Sequence, residues 1–333
     1  MRRGSIVRIT IYGVLAGIAA SAVAVLVPWL PTSASKEMDR IEFTFWFTTV
    51  ICIGVFAVVA AAITYSVLNF RVQPEDESDG PPIHGHTGLE IVWTAIPAVL
   101  VTAISIVSAI VLAKNDDAGP NPLRISVTAQ QFAWKFEYPG DKKVVSGELV
   151  LPVDRPVKLT LHSLDVIHSF WVPEFGQKSD AVPGIETTLV ITPTRVGEYA
   201  LMCTELCGLG HATMRAPVRV VEQAAYEKYL TDEAAGGPAD ESSGEAVFAT
   251  AGCGGCHAFA PAGTDAQAGP SLDTVDPRGQ PLKAFLLESI EDPSAVLAQG
   301  YRDVMPSTYG TSLSEKQLDA LVQYLLDGQK GSE

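Results

Sequence analysis

A chain of 333 residues is long enough for two or three folded units, and its mean hydropathy of +0.21 is high for a wholly soluble protein. The net charge of -15, of which residues 115–333 carry -14 from 30 acidic and 16 basic side chains, makes nucleic acid an unfit partner. The acidic surface either keeps that region in solution or steers a cationic protein towards it.

Residues 9–30 carry no charged side chain, and Arg2, Arg3 and Arg8 form a positive flank ahead of them. The run is longer than a signal-peptide core of about 7–15 residues, yet Thr32-Ser33-Ala34 offers a small-residue cleavage site. Residues 1–34 therefore read as a signal peptide or as a first membrane helix. Residues 43–70 and 91–113 are each uncharged over the roughly 20 positions a helix needs to cross the bilayer, which predicts a helical hairpin over 43–113. Its cytoplasmic loop is 71–90, rich in Pro, Asp, Glu and Gly. Three crossings that start inside leave the rest of the chain outside, and loss of the first does not alter that parity. Glu90, where the third span starts, either guides protons or anchors the helix end. Cys52 reads as an inert buried thiol.

From 123 to 221, apolar and polar side chains alternate in short runs broken by Pro and Gly, which predicts a β-sandwich or small barrel. Near its end comes Cys203-Thr204-Glu205-Leu206-Cys207-Gly208-Leu209-Gly210-His211-Ala212-Thr213-Met214. Thiolate, imidazole and thioether from one loop, with a further His from elsewhere, select copper. Two thiolates can bridge two coppers, and an electron shared by both metals lowers the reorganisation that electron transfer requires. His168, in Asp165-Val166-Ile167-His168-Ser169-Phe170-Trp171-Val172-Pro173, is the preferred upstream ligand, with His162 as its competitor inside an alternating strand. A structural zinc site is the alternative, against which Met214 speaks.

These two stretches resemble subunit II of the haem–copper cytochrome c oxidases, over residues 43–221. The resemblance implies a cupredoxin-like domain over 120–222 holding a binuclear copper centre, CuA. Cys203 and Cys207 would bridge the metals, His168 and His211 would be terminal ligands, and Met214 and the carbonyl of Glu205 weak ones. It further implies that the Glu205 side chain reaches a magnesium ion shared with subunit I, and that Glu90 lies near a proton path into subunit I. In Gln130-Gln131-Phe132-Ala133-Trp134-Lys135, Phe132 replaces the tryptophan through which cytochrome c delivers electrons in many members. Phe132 and Trp134 are the candidate electron-accepting aromatics. Ile185 also stands where Arg is common.

Residues 231–243, rich in Ala, Gly, Pro, Ser and acidic side chains, read as a flexible linker ahead of a last unit over 244–330. There Cys253-Gly254-Gly255-Cys256-His257 supplies two thiols for thioethers to haem and an imidazole for its iron. Met305 is the one methionine after Cys256, and no histidine follows His257, so Met305 is the sixth ligand by elimination. The settings Val304-Met305-Pro306 and Gly269-Pro270-Ser271-Leu272 resemble class I cytochromes c, an all-α fold in which a proline carbonyl orients the proximal histidine. Residues 281–291 and 314–326 read as helices, the second with Leu318, Leu321, Tyr324 and Leu325 on one face and Gly328 as its stop.

A copper domain joined to a cytochrome domain resembles the caa3-type oxidases over nearly the whole chain. The resemblance implies a multi-pass protein of the bacterial plasma membrane with both redox domains on the outer side. Electrons would run from cytochrome c or a quinol–cytochrome c reductase to haem c, then to CuA, then to haem a of subunit I, where oxygen is reduced to water with proton pumping. Subunit I, the other oxidase subunits and membrane lipid are the partners so implied. A quinol-oxidase subunit lacks such copper ligands, nitrous oxide reductase carries a further large domain, and a copper-delivery or redox-sensing protein would have no large haem-bearing partner.

Overall fold

A computed structural model describes residues 3–71, 75, 82, 84–140, 144–235, 243–307 and 309–330. It divides into two compact units, one of Met1–Ser33 with Asp39–Asn115, the other of Ala34–Met38 with Asp116–Glu333.

Among the described residues, the first unit holds three helices long and apolar enough to cross a membrane, α1 (Arg3–Leu26), α2 (Lys36–Asn69) and α3 (Thr87–Asp116). At 1.5 Å per residue, the 34 residues of α2 exceed the ~30 Å hydrocarbon core. Gly13 and Gly17, four apart on α1, face Ala57 and Ala61 of α2 so closely that added Cβ atoms would touch them at 3.5–3.6 Å. Small residues at that spacing let membrane helices approach where the hydrophobic effect offers no drive. The Arg40 guanidinium donates to the Lys114 carbonyl and the Asn115 side chain, tying one end of the α2–α3 hairpin. Glu90 lies in the first turn of α3, inside the stretch expected as loop, and its Oε1 accepts from the His86 N–H at 3.1 Å. Most of the 71–90 loop lies outside the described residues. Cys52, expected to be buried, is exposed on α2, because an apolar run on a membrane helix faces outward as often as inward.

The second unit opens with a sandwich of two five-stranded sheets. In chain order the strands are β1 (Leu123–Gln130), β2 (Ala133–Tyr138), β3 (Val144–Ser146), β4 (Leu149–Pro152), β5 (Val157–Ser163), β6 (His168–Trp171), β7 (Lys178–Ala181), β8 (Thr187–Ile191), β9 (Gly197–Cys203) and β10 (Arg215–Val221). One sheet runs β3-β2-β1-β5-β8 and the other β4-β10-β9-β6-β7. Strand β5 buries every second residue, as its alternating sequence predicts, and Ile125, Leu151, Leu159, Phe170 and Val218 meet between the sheets. Residues 34–38 are stitched to this sandwich: buried Glu37 accepts from the Thr192 N–H at 2.7 Å, and Ser35 donates to the Phe175 carbonyl.

Helix α4 (Gln223–Ala235) follows β10 and lays buried Tyr226 beside Tyr138. It carries the first five residues of the expected linker as helix, and residues 236–242 lie outside the described residues. Beyond them come α5 (Gly244–Thr250), β11 (His257–Phe259), β12 (Thr264–Gln267), α6 (Leu282–Glu291), α7 (Tyr309–Ser312) and α8 (Glu315–Lys330). This part is helical apart from the β11–β12 hairpin. Leu318, Leu321, Val322 and Leu325 of α8 are buried at the i, i+3, i+4, i+7 spacing of one helical face.

Gly328 does not stop α8, which runs on to Lys330. A Cβ there would lie 2.3 Å from Cζ of Phe259, so glycine serves close packing rather than helix termination. Gly328→Ala is therefore expected to destabilise the C-terminal part by about 1–3 kcal/mol through overpacking. A denaturation midpoint followed by circular dichroism measures this, and an unchanged midpoint rejects the account.

Candidate metal and haem sites

Strand β6 pairs with β9 in the register Phe170↔Cys203, and β10 returns beside β9 with Arg215 opposite Met202. The loop from Cys203 to Met214 thus leaves and re-enters the sheet at neighbouring points, next to the end of β6 that carries His168. The Cys203 N–H donates to the Met214 carbonyl at 3.0 Å and the Thr204 N–H to the Ser169 carbonyl at 2.9 Å.

Within this closed loop, Cys203 Sγ lies 3.8 Å from Cys207 Sγ, 3.9 Å from His168 Nδ1 and 3.2 Å from the Glu205 carbonyl oxygen. Cys207 Sγ lies 3.6 Å from His211 Nδ1 and 3.8 Å from Met214 Sδ. His168 and Met214 are fully buried. At metal–sulfur distances of about 2.3 Å, an ion on either side of the sulfur pair touches both, so the donors fit two soft cations sharing two thiolates. His162 stands apart on β5 of the other sheet, its Nε2 3.1 Å from Thr128 Oγ1, which removes it as a ligand.

Electrostatics prepares the same pair. Burial raises the Cys203 thiol, but His168 and the backbone N–H of Ser169 outweigh it and bring the value down to about 6. Cys207 is pushed up to about 12 by burial and then by the charge of Cys203 beside it. One thiolate forms readily and the second awaits a cation. Asp165 Oδ1 lies 2.8 Å from His168 Nε2; a carboxylate accepts, so Nε2 carries a proton and Nδ1 is the ring nitrogen left to face Cys203. Burial pulls the His168 pKa down, and hydrogen bonds with Asp165 and Cys203 more than offset it.

The second cysteine pair is set differently. Burial raises Cys253 to about 12 and raises Cys256 as well, so both thiols keep their protons, and uncharged thioethers in their place would suit the same apolar lining. Both line a cavity of about 860 Å³ together with His257, Met305, Leu286 and Phe132. His257 Nδ1 is 2.8 Å from the Pro270 carbonyl, so Nδ1 donates and the Nε2 lone pair is left free. Burial lowers the His257 pKa against that hydrogen bond and keeps the ring neutral. Gly269 passes over this ring so closely that a Cβ would lie 2.6 Å from its Cε1. A roomy apolar pocket with two thiols, one oriented imidazole and one thioether fits a c-type haem.

Of the two candidate aromatics, Trp134 is 2% exposed and packs edge-on against His168 at 6.2 Å between ring centroids, so it offers no outer surface to a soluble donor. Phe132 is buried as well, its ring against Gly208 and Gly210 of the ligand loop, where Cβ atoms would approach to 3.0 and 2.5 Å. The glycines of that loop make room for Phe132, a contact that no local sequence pattern announces. Glu205 turns its side chain to solvent.

Residues 22–111 and 140–222 match the transmembrane and periplasmic domains of cytochrome c oxidase subunit II, and residues 239–325 match subunit III of cbb3-type cytochrome c oxidase. Cytochrome c oxidase subunit 2 of Alkalihalophilus pseudofirmus is 33% identical over 297 residues, covering 83% of this chain and 84% of that one. Its counterpart from Synechocystis sp. is 31% identical over 261 residues, covering 64% and 77%. Among solved structures, the periplasmic domain of subunit II of cytochrome oxidase from Bradyrhizobium japonicum is 30% identical, covers 35% of this chain and 96% of that one, and superposes with a TM-score of 0.33.

Gly269→Ala is expected to tilt the His257 ring off the Pro270 carbonyl. In haem-loaded protein this reads as a changed absorption spectrum with covalent attachment retained; identical spectra would contradict the packing described.

Proposed function

Because the chain belongs to the cytochrome c oxidase subunit II family and carries a cytochrome c-type domain after its copper domain, the caa3 arrangement, we propose that its two sites are consecutive stations on one electron path into subunit I. Electron transfer to the oxidase is the function of the chain; the residues that serve it are assigned as follows.

Copper and haem, when bound, supply the one-electron redox chemistry. Cys203, Cys207, His168, His211 and Met214, with the Glu205 carbonyl, would hold the copper. Cys253 and Cys256 would bond the haem covalently, and His257 and Met305 would ligate its iron. The observation that carries this reading is the convergence of two thiols, an imidazole, a thioether and a carbonyl of one loop with the His168 imidazole of β6. Asp165 keeps His168 in the tautomer a metal requires, and Pro270 does the same for His257.

The exposed Glu205 side chain is free to reach a magnesium ion at the boundary with subunit I. Leu206 and Leu209, 79% and 62% exposed, border the same ligands and suit an apolar partner face there. Electrons would then pass to haem a of subunit I, where oxygen would be reduced to water with proton pumping. Glu90 holds the first turn of α3, which supports an anchoring role beside any part in proton uptake. The outer face of a bacterial plasma membrane is the assigned location of both redox domains, and cytochrome c or a quinol–cytochrome c reductase the assigned donor.

Metal analysis and electron paramagnetic resonance of the purified oxidase test the assignment. The expected result is two coppers sharing one unpaired spin and one low-spin haem c on this chain. In Cys207→Ser the shared-spin signal is expected to vanish while haem c remains; a lone cupric signal or zinc in the parent protein would defeat the assignment.

A further inference from the structure

The cytochrome part sits directly on the copper domain, and one side chain joins them by hydrogen bonding. Tyr309, at the start of α7 and 6% exposed, places its hydroxyl 3.0 Å from the Ala251 carbonyl, two residues before the first haem cysteine. The same hydroxyl lies 3.3 Å from the Gln131 carbonyl in the turn between β1 and β2, so its single proton is shared between two carbonyl acceptors, one on each part. Around it the surfaces are small and uncharged: a Cβ on Gly252 would lie 2.6 Å from that of Ala133, and Cys256 packs against the sandwich core.

Gln131 is tied to the copper ligands from both ends. Its backbone N–H donates to Asp165 Oδ2 at 2.7 Å, and Asp165 Oδ1 holds His168 Nε2. Its side-chain amide donates to the Cys207 carbonyl at 2.5 Å. A continuous chain therefore runs from the haem-bearing segment through Tyr309, Gln131 and Asp165 to His168, with a branch to Cys207.

We propose that Tyr309 is a positioning residue that seats the haem segment on Gln131 and, through Asp165, fixes the orientation of His168, so that docking of the cytochrome part and the geometry of the copper site are coupled. This rests on the assignment of the two centres above. Burial raises the Tyr309 pKa, so the hydroxyl keeps its proton and remains a donor. The phenol ring lines the haem cavity on its other side, so removal of the oxygen alone leaves the packing in place.

Tyr309→Phe in the complete oxidase is the test. With two coppers and one haem c retained, haem-to-copper electron transfer after a light-triggered reduction is expected to slow on the order of tenfold. The copper resonance spectrum should shift in its histidine hyperfine coupling, and hydrogen exchange at the Gln131 amide should quicken even in copper-free protein. An Asp165→Asn change should alter the same spectrum, and the two changes together should fall short of additive. Full loading with unchanged rate, spectrum and Gln131 exchange overturns the coupling and leaves the assignment of the centres standing. A parent protein that does not hold two coppers and a haem overturns that assignment instead, and the coupling with it.

Discussion

One backbone hydrogen bond, from the Cys203 N–H to the Met214 carbonyl, closes the ligand loop. Without it the twelve residues would be an ordinary β9–β10 connection, and their sulfurs and imidazole would point wherever solvent allowed. With it, the loop is cinched at the sheet edge beside β6, and His168 arrives from a strand already in register with Cys203. The cost of gathering two thiols in a buried place is visible in their opposed acidities, one brought down to about 6 and the other driven up to about 12. That imbalance is what a shared cationic cluster relieves, since each further positive charge favours the second thiolate.

The two cysteine pairs show how one residue type is assigned to different chemistry by its surroundings. Cys203 has the His168 imidazole and backbone hydrogen bonds from Ser169 and Glu205 at its sulfur, and these favour the anion. Cys253 has burial with too little to offset it, and stays neutral. Attachment to haem would end in an uncharged thioether, which suits a buried apolar lining, whereas a metal bridge needs anions that the surrounding groups stabilise.

Much of this was legible in the sequence. Ligands that lie within one loop or one five-residue motif are read directly, because their spacing is itself the chemistry; so were the membrane runs and the alternation of β5. What failed depended on partners distant along the chain. Gly328 reads as a helix stop because nothing nearby reveals Phe259 beneath it, and Trp134 reads as a candidate electron-accepting aromatic because its burial against His168 is decided by sheet packing. The seat of the cytochrome part on the turn before β2 was illegible for the same reason. Gly252 and Ala133 are unremarkable in sequence, and only their approach shows that both must be small.

That seat does not draw on charge. Phe132, Ala133, Gly252 and Tyr309 carry no charge, so the attached cytochrome is held by close packing and hydrogen bonds, forces that salt screens little. The turn that carries Phe132 is covered by this chain's own segment around Gly252 and Gly255, with Phe132 between the ligand loop and the cavity lined by Cys253 and Cys256. The fit therefore depends on the small size of Ala133 and Gly252 rather than on the acidic surface.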